Sequence, residues 1–233
     1  MADHKSCMIC KEDFNPNNVF SKEGAAETRI SGLCEVCFDN TCFDIYENLS
    51  NLTHIYAVEL HPVRTTEGCF LAGGALRILV DADDELKDLD LFFTGEDSLV
   101  KTIDYFEAQE KFKNIFACPK RELFTYINET TQTKVQLVAK EFYTPEQAIA
   151  SFDITACCAA WDGQRIYKQR RFVSDVLNKR IHLNNIAYPN ATMRRMNKYS
   201  HKGYLMTKDA IECFVGAVNS MELTEDNMEF YVD

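Results

Sequence analysis

Apolar residues along this chain change period several times, and each change marks an element. Over 44–57, Ile45, Leu49, Leu52 and Ile55/Tyr56 recur at helical spacing, the signature of one buried helix face. Cys69-Phe70-Leu71-Ala72 is a short apolar run that stops at Gly73-Gly74, and 75–80 reads as a helix beyond it. The segment 89–93 is short and rich in aromatics, as a strand is. Leu99, Ile103, Phe106 and Phe112 carry helical spacing across 98–112, while 124–127 and 135–139 predict two further strands. Pro145 suits the first turn of a short helix. Asp162-Gly163, between 157–161 and 165–167, predicts a hairpin. From Arg170 onward the pattern is mainly helical, whereas residues 1–45 are cysteine-rich and turn-rich, with Asn15-Pro16-Asn17-Asn18 and Lys22-Glu23-Gly24. The expected organisation is a small module over 1–45, an α/β (α+β) domain over 46–168 and a helical C-terminal region over 169–233.

Composition narrows the setting. With 46% hydrophobic and 26% charged residues the chain reads as an ordinary globular protein. No apolar run approaches the roughly 18 residues of a membrane span, and Met1-Ala2-Asp3-His4-Lys5 lacks an apolar signal segment. The expected location is the cytoplasm, with no membrane partner. Ten cysteines in a reducing compartment favour metal ligation over disulfides. The net charge of −11 argues against a general nucleic-acid coat, but the charge is uneven. Residues 161–208 hold 11 Lys/Arg against two acids, whereas 209–233 hold seven acids and no Lys or Arg. The basic stretch fits either a phosphate-facing surface or a solvated helical face.

Cys7-x-x-Cys10 and Cys34-x-x-Cys37 form two knuckles separated by 23 residues. Four thiolates satisfy the tetrahedral preference of Zn²⁺ and leave no open position for catalysis, so the expected zinc is structural. A segment this poor in core residues needs the metal to fold. The module also offers a surface to nucleic acid or to a protein partner, and Cys42 is a spare ligand.

Candidate chemistry sits in Gly73-Gly74 followed, 14 residues after Gly74, by Asp88-Leu89-Asp90. Carboxylates at i and i+2 of a strand share a face. Together they can hold Mg²⁺, which takes oxygen ligands and keeps positions for water and phosphate. A glycine pair entering a helix lets backbone approach a triphosphate. Each half alone is weak; their order makes nucleotidyl transfer the expected chemistry. Elsewhere there is no P-loop lysine motif and no Ser/His/Asp arrangement, and the five histidines show no ligand spacing. Cys157 and Cys158, adjacent on an expected strand, read as packing residues facing opposite sides.

Gly73-Gly74-Ala75-Leu76-Arg77 with Asp88-Leu89-Asp90 resembles the first motif of tRNA CCA-adding enzymes and bacterial poly(A) polymerases, within the DNA polymerase β superfamily. The stretch from Asp153-Ile154-Thr155-Ala156 to Trp161-Asp162-Gly163 is similar to a second family segment. More loosely, Met193-Arg194-Arg195-Met196-Asn197-Lys198-Tyr199 and Lys202-Gly203-Tyr204 resemble the arginine-containing helix after the catalytic head. The resemblance spans roughly 65–205 and implies a polymerase β-type head holding an NTP. It implies that Asp88 and Asp90 bind catalytic Mg²⁺, that Gly73 and Gly74 hold the triphosphate, and that Arg77 lies near it. It further implies that Asp153 supports the ribose or the site wall and that Arg194 or Arg195 faces base or phosphates. The bland alternatives are an N-cap or turn residue for Asp153 and a solvated helix face for the arginines. RNA, tRNA-like 3′ ends in particular, is the implied acceptor, through 165–208; a protein side chain or a small molecule is the second choice.

Three departures stand out. Ile78 replaces the acid that usually follows the motif arginine, and Gln136 occupies the natural position of a third carboxylate. Only about 65 residues follow the hairpin, too few for the templating helical body. The alternative reading is therefore a catalytically impaired protein that kept the fold to bind a host or viral partner. The compact combination with a cysteine module suggests a phage or other viral origin, hence host cytoplasm.

Overall fold

The computed structural model describes residues 5–42, 45–81, 86–118, 123–139 and 141–220. The acidic end, 221–233, and the side chain of the spare Cys42 lie outside them. Two helices belong to the cysteine-rich segment: α1 (Lys22–Ser31), whose N-cap Ser21 accepts from the Gly24 amide, and α2 (Glu35–Cys42). Next come α3 (Ile45–Ile55) and the short α4 (His61–Thr65). Ile45, Leu49 and Leu52 are buried on α3 as the spacing predicts, but Ile55 is exposed because the helix ends there.

The centre is a seven-stranded sheet. Its strands are β1 (Cys69–Ala72), β2 (Asp88–Phe93), β3 (Phe112–Cys118), β4 (Leu123–Asn128), β5 (Lys134–Val138), β6 (Ala159–Trp161) and β7 (Ile166–Lys168). The order is β3-β4-β5-β2-β1-β6-β7, antiparallel throughout except for the parallel pair β2–β5. One face carries the main core, where Leu89, Leu91, Phe93, Val135 and Leu137 pack with α3 and with α5 (Glu96–Glu107). The other face is covered over β1, β6 and β7 by α6 (Pro145–Ser151), which seals Phe70, Ala72, Cys158 and Ala160. That helix starts where sequence chemistry dictates, with Pro145 in its first turn and Thr144 and Gln147 forming a reciprocal capping box. Because α6 covers only that end, the β2 face bearing Asp88 and Asp90 is left for a different neighbour.

That neighbour comes from the C-terminal region: α7 (Phe172–Leu177), a two-stranded parallel pair of β8 (Arg180–Ile181) and β9 (Leu205–Met206), α8 (Pro189–His201) and α9 (Lys208–Asn219). Three expectations change. The helix expected over 75–80 is a 3₁₀ helix, Gly74–Leu79. The helical spacing over 98–112 ends at Glu107, and Phe112 begins β3 while its ring meets Phe106 edge-on at 4.8 Å. Cys157 closes a 3₁₀ turn, Thr155–Cys157, rather than lying on a strand. No helix among the described residues is long and apolar enough to cross a membrane.

Candidate active site

β1 delivers the chain to Gly73, whose φ of +87° and ψ of −145° belong to glycine territory. The turn is tight on the Gly74 side and in ordinary contact on the Gly73 side. A Cβ on Gly73 would lie 3.8 Å from Asp90 Oδ2, and one on Gly74 would lie 2.8 Å from Arg77 Nη1. Gly74 thus makes room for the guanidinium, while Gly73 supplies a backbone conformation that other residues rarely adopt. Strand alternation in β2 buries Leu89, Leu91 and Phe93 and turns Asp88, Asp90 and Phe92 to the opposite face. Asp90 pairs in register with Ala72 of β1 and with Gln136 of β5, so Gln136 lies beside it on the same face.

Between this face and α8 lies a cleft of about 190 Å³, lined among others by Gly74, Arg77, Asp88, Asp90, Lys198 and Lys202. Among the described residues neither aspartate carboxylate has a hydrogen-bond or ion-pair partner. Burial, and then the charge of Asp88, push the Asp90 carboxyl up to about 7 against the pull of Lys198. Two unpartnered carboxylates facing cationic side chains across an open cleft suit a divalent cation with a polyphosphate.

Arg77 is buried, and its Nη1 donates to the Tyr199 hydroxyl on α8. Its guanidinium also lies 5.0 Å from the centre of that ring. The same hydroxyl meets Cys157 Sγ at 2.6 Å, and burial pushes both the phenol and the thiol upward. Tyr199 therefore ties α8 to the glycine turn and to the 3₁₀ turn of Cys157. Asp153 is buried and accepts from Arg195 Nε at 2.6 Å. Its carboxylate caps neither neighbouring helix and instead holds Arg195, which lines the cleft. Of the two candidate arginines, Arg195 lines the cleft, while Arg194 is exposed and does not. The sequence reading missed Lys198, Lys202, Tyr199 and Cys157 as cleft residues. The signal for the first three was the spacing of 195, 198, 199 and 202 on one face of a helix.

The basic stretch divides. Arg195, Lys198 and Lys202 face the cleft, whereas Arg170 grips Glu12 through two contacts of 2.7 and 3.0 Å. Arg171 lies 4.1 Å over the Phe20 ring, and Lys179 pairs with Asp81. Part of this charge holds the cysteine module against α7, and only part faces a potential ligand.

In that module the sulfurs of Cys7, Cys10, Cys34 and Cys37 all lie within 4.8 Å of one another. Tetrahedral zinc with Zn–S bonds of about 2.3 Å needs sulfurs roughly 3.8 Å apart, and Cys10 and Cys34 stand at 3.9 Å. The donor set fits the metal. Glu35, beside the second knuckle, accepts from the Ser21 amide at 2.9 Å and hydroxyl at 2.7 Å, joining knuckle to loop.

The fold matches solved structures of CCA-adding enzymes at low identity. An apo CCA-adding enzyme superposes with TM-score 0.57 and 12% identity, over 73% of this chain and 43% of the other. A complex of CCA-adding enzyme with ATP gives 0.56 and 13%, over 72% and 43%. The Thermotoga maritima CCA-adding enzyme complexed with tRNA gives 0.54 and 11%, over 71% and 42%. The chain thus spans less than half the length of these proteins, and the likeness is one of fold. No curated protein matches the chain. A family model does: residues 35–179, more than half of the chain, match the Gabija anti-defense 2 family protein, Gad2. Over residues 35–179, which take in the glycine turn, the paired aspartates and α7, this chain belongs to the Gad2 family.

Proposed function

We propose that the protein is a nucleotidyltransferase that moves NMP from an NTP to a hydroxyl acceptor, and that it serves to counter the Gabija defence. The observation that carries this reading is the pair Asp88 and Asp90, unpartnered among the described residues and set against the Gly73 turn in a cleft lined by Arg77, Lys198 and Lys202. In the reaction an acceptor oxygen bonds to the α-phosphorus, the bond from that phosphorus to the bridging oxygen breaks, and pyrophosphate and the hydroxyl proton leave. Gly73 and Gly74 keep side chains out of the path of the phosphates. Arg77, Lys198 and Lys202 balance triphosphate charge, and Arg195, held by Asp153, braces the cleft beyond the aspartates. Asp88 and Asp90 would hold Mg²⁺, which when bound supplies charge stabilisation at the α-phosphate. Cys7, Cys10, Cys34 and Cys37 would hold a structural Zn²⁺.

RNA 3′ ends are the first-choice acceptor, supported by the basic cleft rim and by a structural relative solved with tRNA. The site of action would be the cytoplasm of a cell that carries Gabija, as expected of a phage product. Incubation with each labelled NTP and total RNA tests the activity; labelled product from wild type, and none from Asp90→Asn, is the expected result. RNA affinity should fall steeply with salt, because phosphate contacts release counterions. One observation favours a second reading: Gln136 beside Asp90 puts an amide where a third carboxylate would act. A protein that binds nucleotide without turnover would then block the defence by occupancy.

A further inference from the structure

The helix α9 is apolar over more of its surface than the fold covers. Its main neighbour is α8, and it turns buried Ala210 and half-buried Phe214 to the core. Beside that packed face runs a second stripe, Ile211, Val215 and Val218, which are 49%, 50% and 44% exposed. Leu205 and Met206, on the strand that leads into the helix, are exposed as well. Scattered apolar residues on a surface are ordinary, but three in a row along one helix, with two more just before it, mark an interaction surface.

The form of the stripe says what fits it. Steps of four and then three residues are the seam spacing of paired helices. A second α9 running antiparallel presents the same seam, so one crossing near Val215 covers both copies, as two-fold symmetry requires. Charge favours the same occupant. Lys208 opens the helix and pairs with Glu212 at 3.3 Å on its exposed side. In an antiparallel pair, Lys208 of each copy comes to the C-terminal end of the other helix. There the dipole is negative, and the sequence continues with Glu222, Glu225 and Asp226. A parallel pair would instead set Lys208 against Lys208 and acid against acid. Cys213, exposed on α9, points nearly the opposite way from the seam, since each residue turns the helix by about 100°.

We propose that α9 is a self-association surface, on which a second copy of this chain docks antiparallel along Ile211, Val215 and Val218. One helical seam is smaller than the roughly 20–30 residues a side of a stable interface, so the dimer forms and dissociates with concentration. None of the residues lining the aspartate cleft belongs to α9, and the inference stands apart from the transferase reading.

The test is sedimentation equilibrium of the full chain over about two decades of concentration, from the micromolar range upward. The mass of wild type should rise from monomer toward dimer. Val215→Glu should move that rise to at least about tenfold higher concentration, because it buries a charge in the seam. Val215 is half exposed, so the variant should keep the thermal midpoint and the affinity for inorganic tripolyphosphate of wild type. Cross-linking with a bis-maleimide reads the geometry without that variant. The double variant Cys213→Ser, Val215→Cys should link copy to copy, whereas wild type, with Cys213 turned away, should not link through α9. Wild type that stays monomeric throughout, Val215→Glu that associates as wild type does, or linking through Cys213 as strong as through the seam each overturns the proposal.

Discussion

Asp90 of β2 and Gln136 of β5 are partners in parallel register on one face of the sheet. An amide therefore stands where a third carboxylate would join Asp88 and Asp90 on the proposed metal-binding face. Glutamine is a poor ligand for Mg²⁺ and cannot act as a base. Gln136→Asp should raise turnover by about tenfold or more and tighten Mg²⁺ binding. Steady-state rates against metal concentration check this; identical curves for variant and wild type would remove Gln136 from the site.

Asp90 also makes the metal-free fold sensitive to pH. Its folded carboxyl is pushed up to about 7 from 3.8, so the folded chain holds that proton more tightly than the unfolded chain does. The contribution to stability is complete below about pH 4 and is lost as pH rises through 7. Denaturant titrations of metal-free protein should show this loss, on the order of 4 kcal/mol, and Asp90→Asn should abolish it. Mg²⁺ added above pH 7 should restore stability to wild type and not to the variant.

How much of this was legible in the sequence depends on the residue. The alternation in Asp88-Leu89-Asp90-Leu91 announces a two-faced strand, and the glycine pair announces the turn that meets it. The sequence shows a helix after the turn but not that it is 3₁₀, because Ala75, Leu76, Arg77 and Leu79 are all buried and leave no amphipathic period to read. Phe112 mimicked a helix position because it packs on Phe106 from the neighbouring strand. β3 escaped notice because it is an edge strand, with Ile115 and Phe116 both exposed around a register shift. The spacing of Lys198, Tyr199 and Lys202 shows that they share a helix face, but which cleft that face lines is set by the docking of α8.

Tyr199 supplies a further test. Its hydroxyl joins buried Arg77 to Cys157. Tyr199→Phe keeps the ring and removes that link, so tripolyphosphate affinity should fall about 5–10-fold while stability drops by only about 1–2 kcal/mol. Unchanged affinity would show that Arg77 does not depend on Tyr199 for its position.

The cysteine module should respond unequally to its two kinds of contact. If the four cysteines hold zinc as proposed, Cys34→Ser should abolish stoichiometric zinc and cost at least about 2 kcal/mol, since the metal would substitute for a core there. Arg170→Ala, which breaks a solvent-exposed pair with Glu12, should cost under about 1 kcal/mol. Metal analysis and thermal melts report both; full zinc content in Cys34→Ser would sink the four-cysteine site.

The central claim is that Asp88 and Asp90 join a divalent cation to a bound triphosphate. Calorimetric titration of NTP into wild type and Asp90→Asn, with and without Mg²⁺, measures that coupling directly. The account predicts that Mg²⁺ tightens NTP binding to wild type by about tenfold or more and does little for Asp90→Asn. Equal NTP affinity in both proteins, with or without the metal, would contradict it.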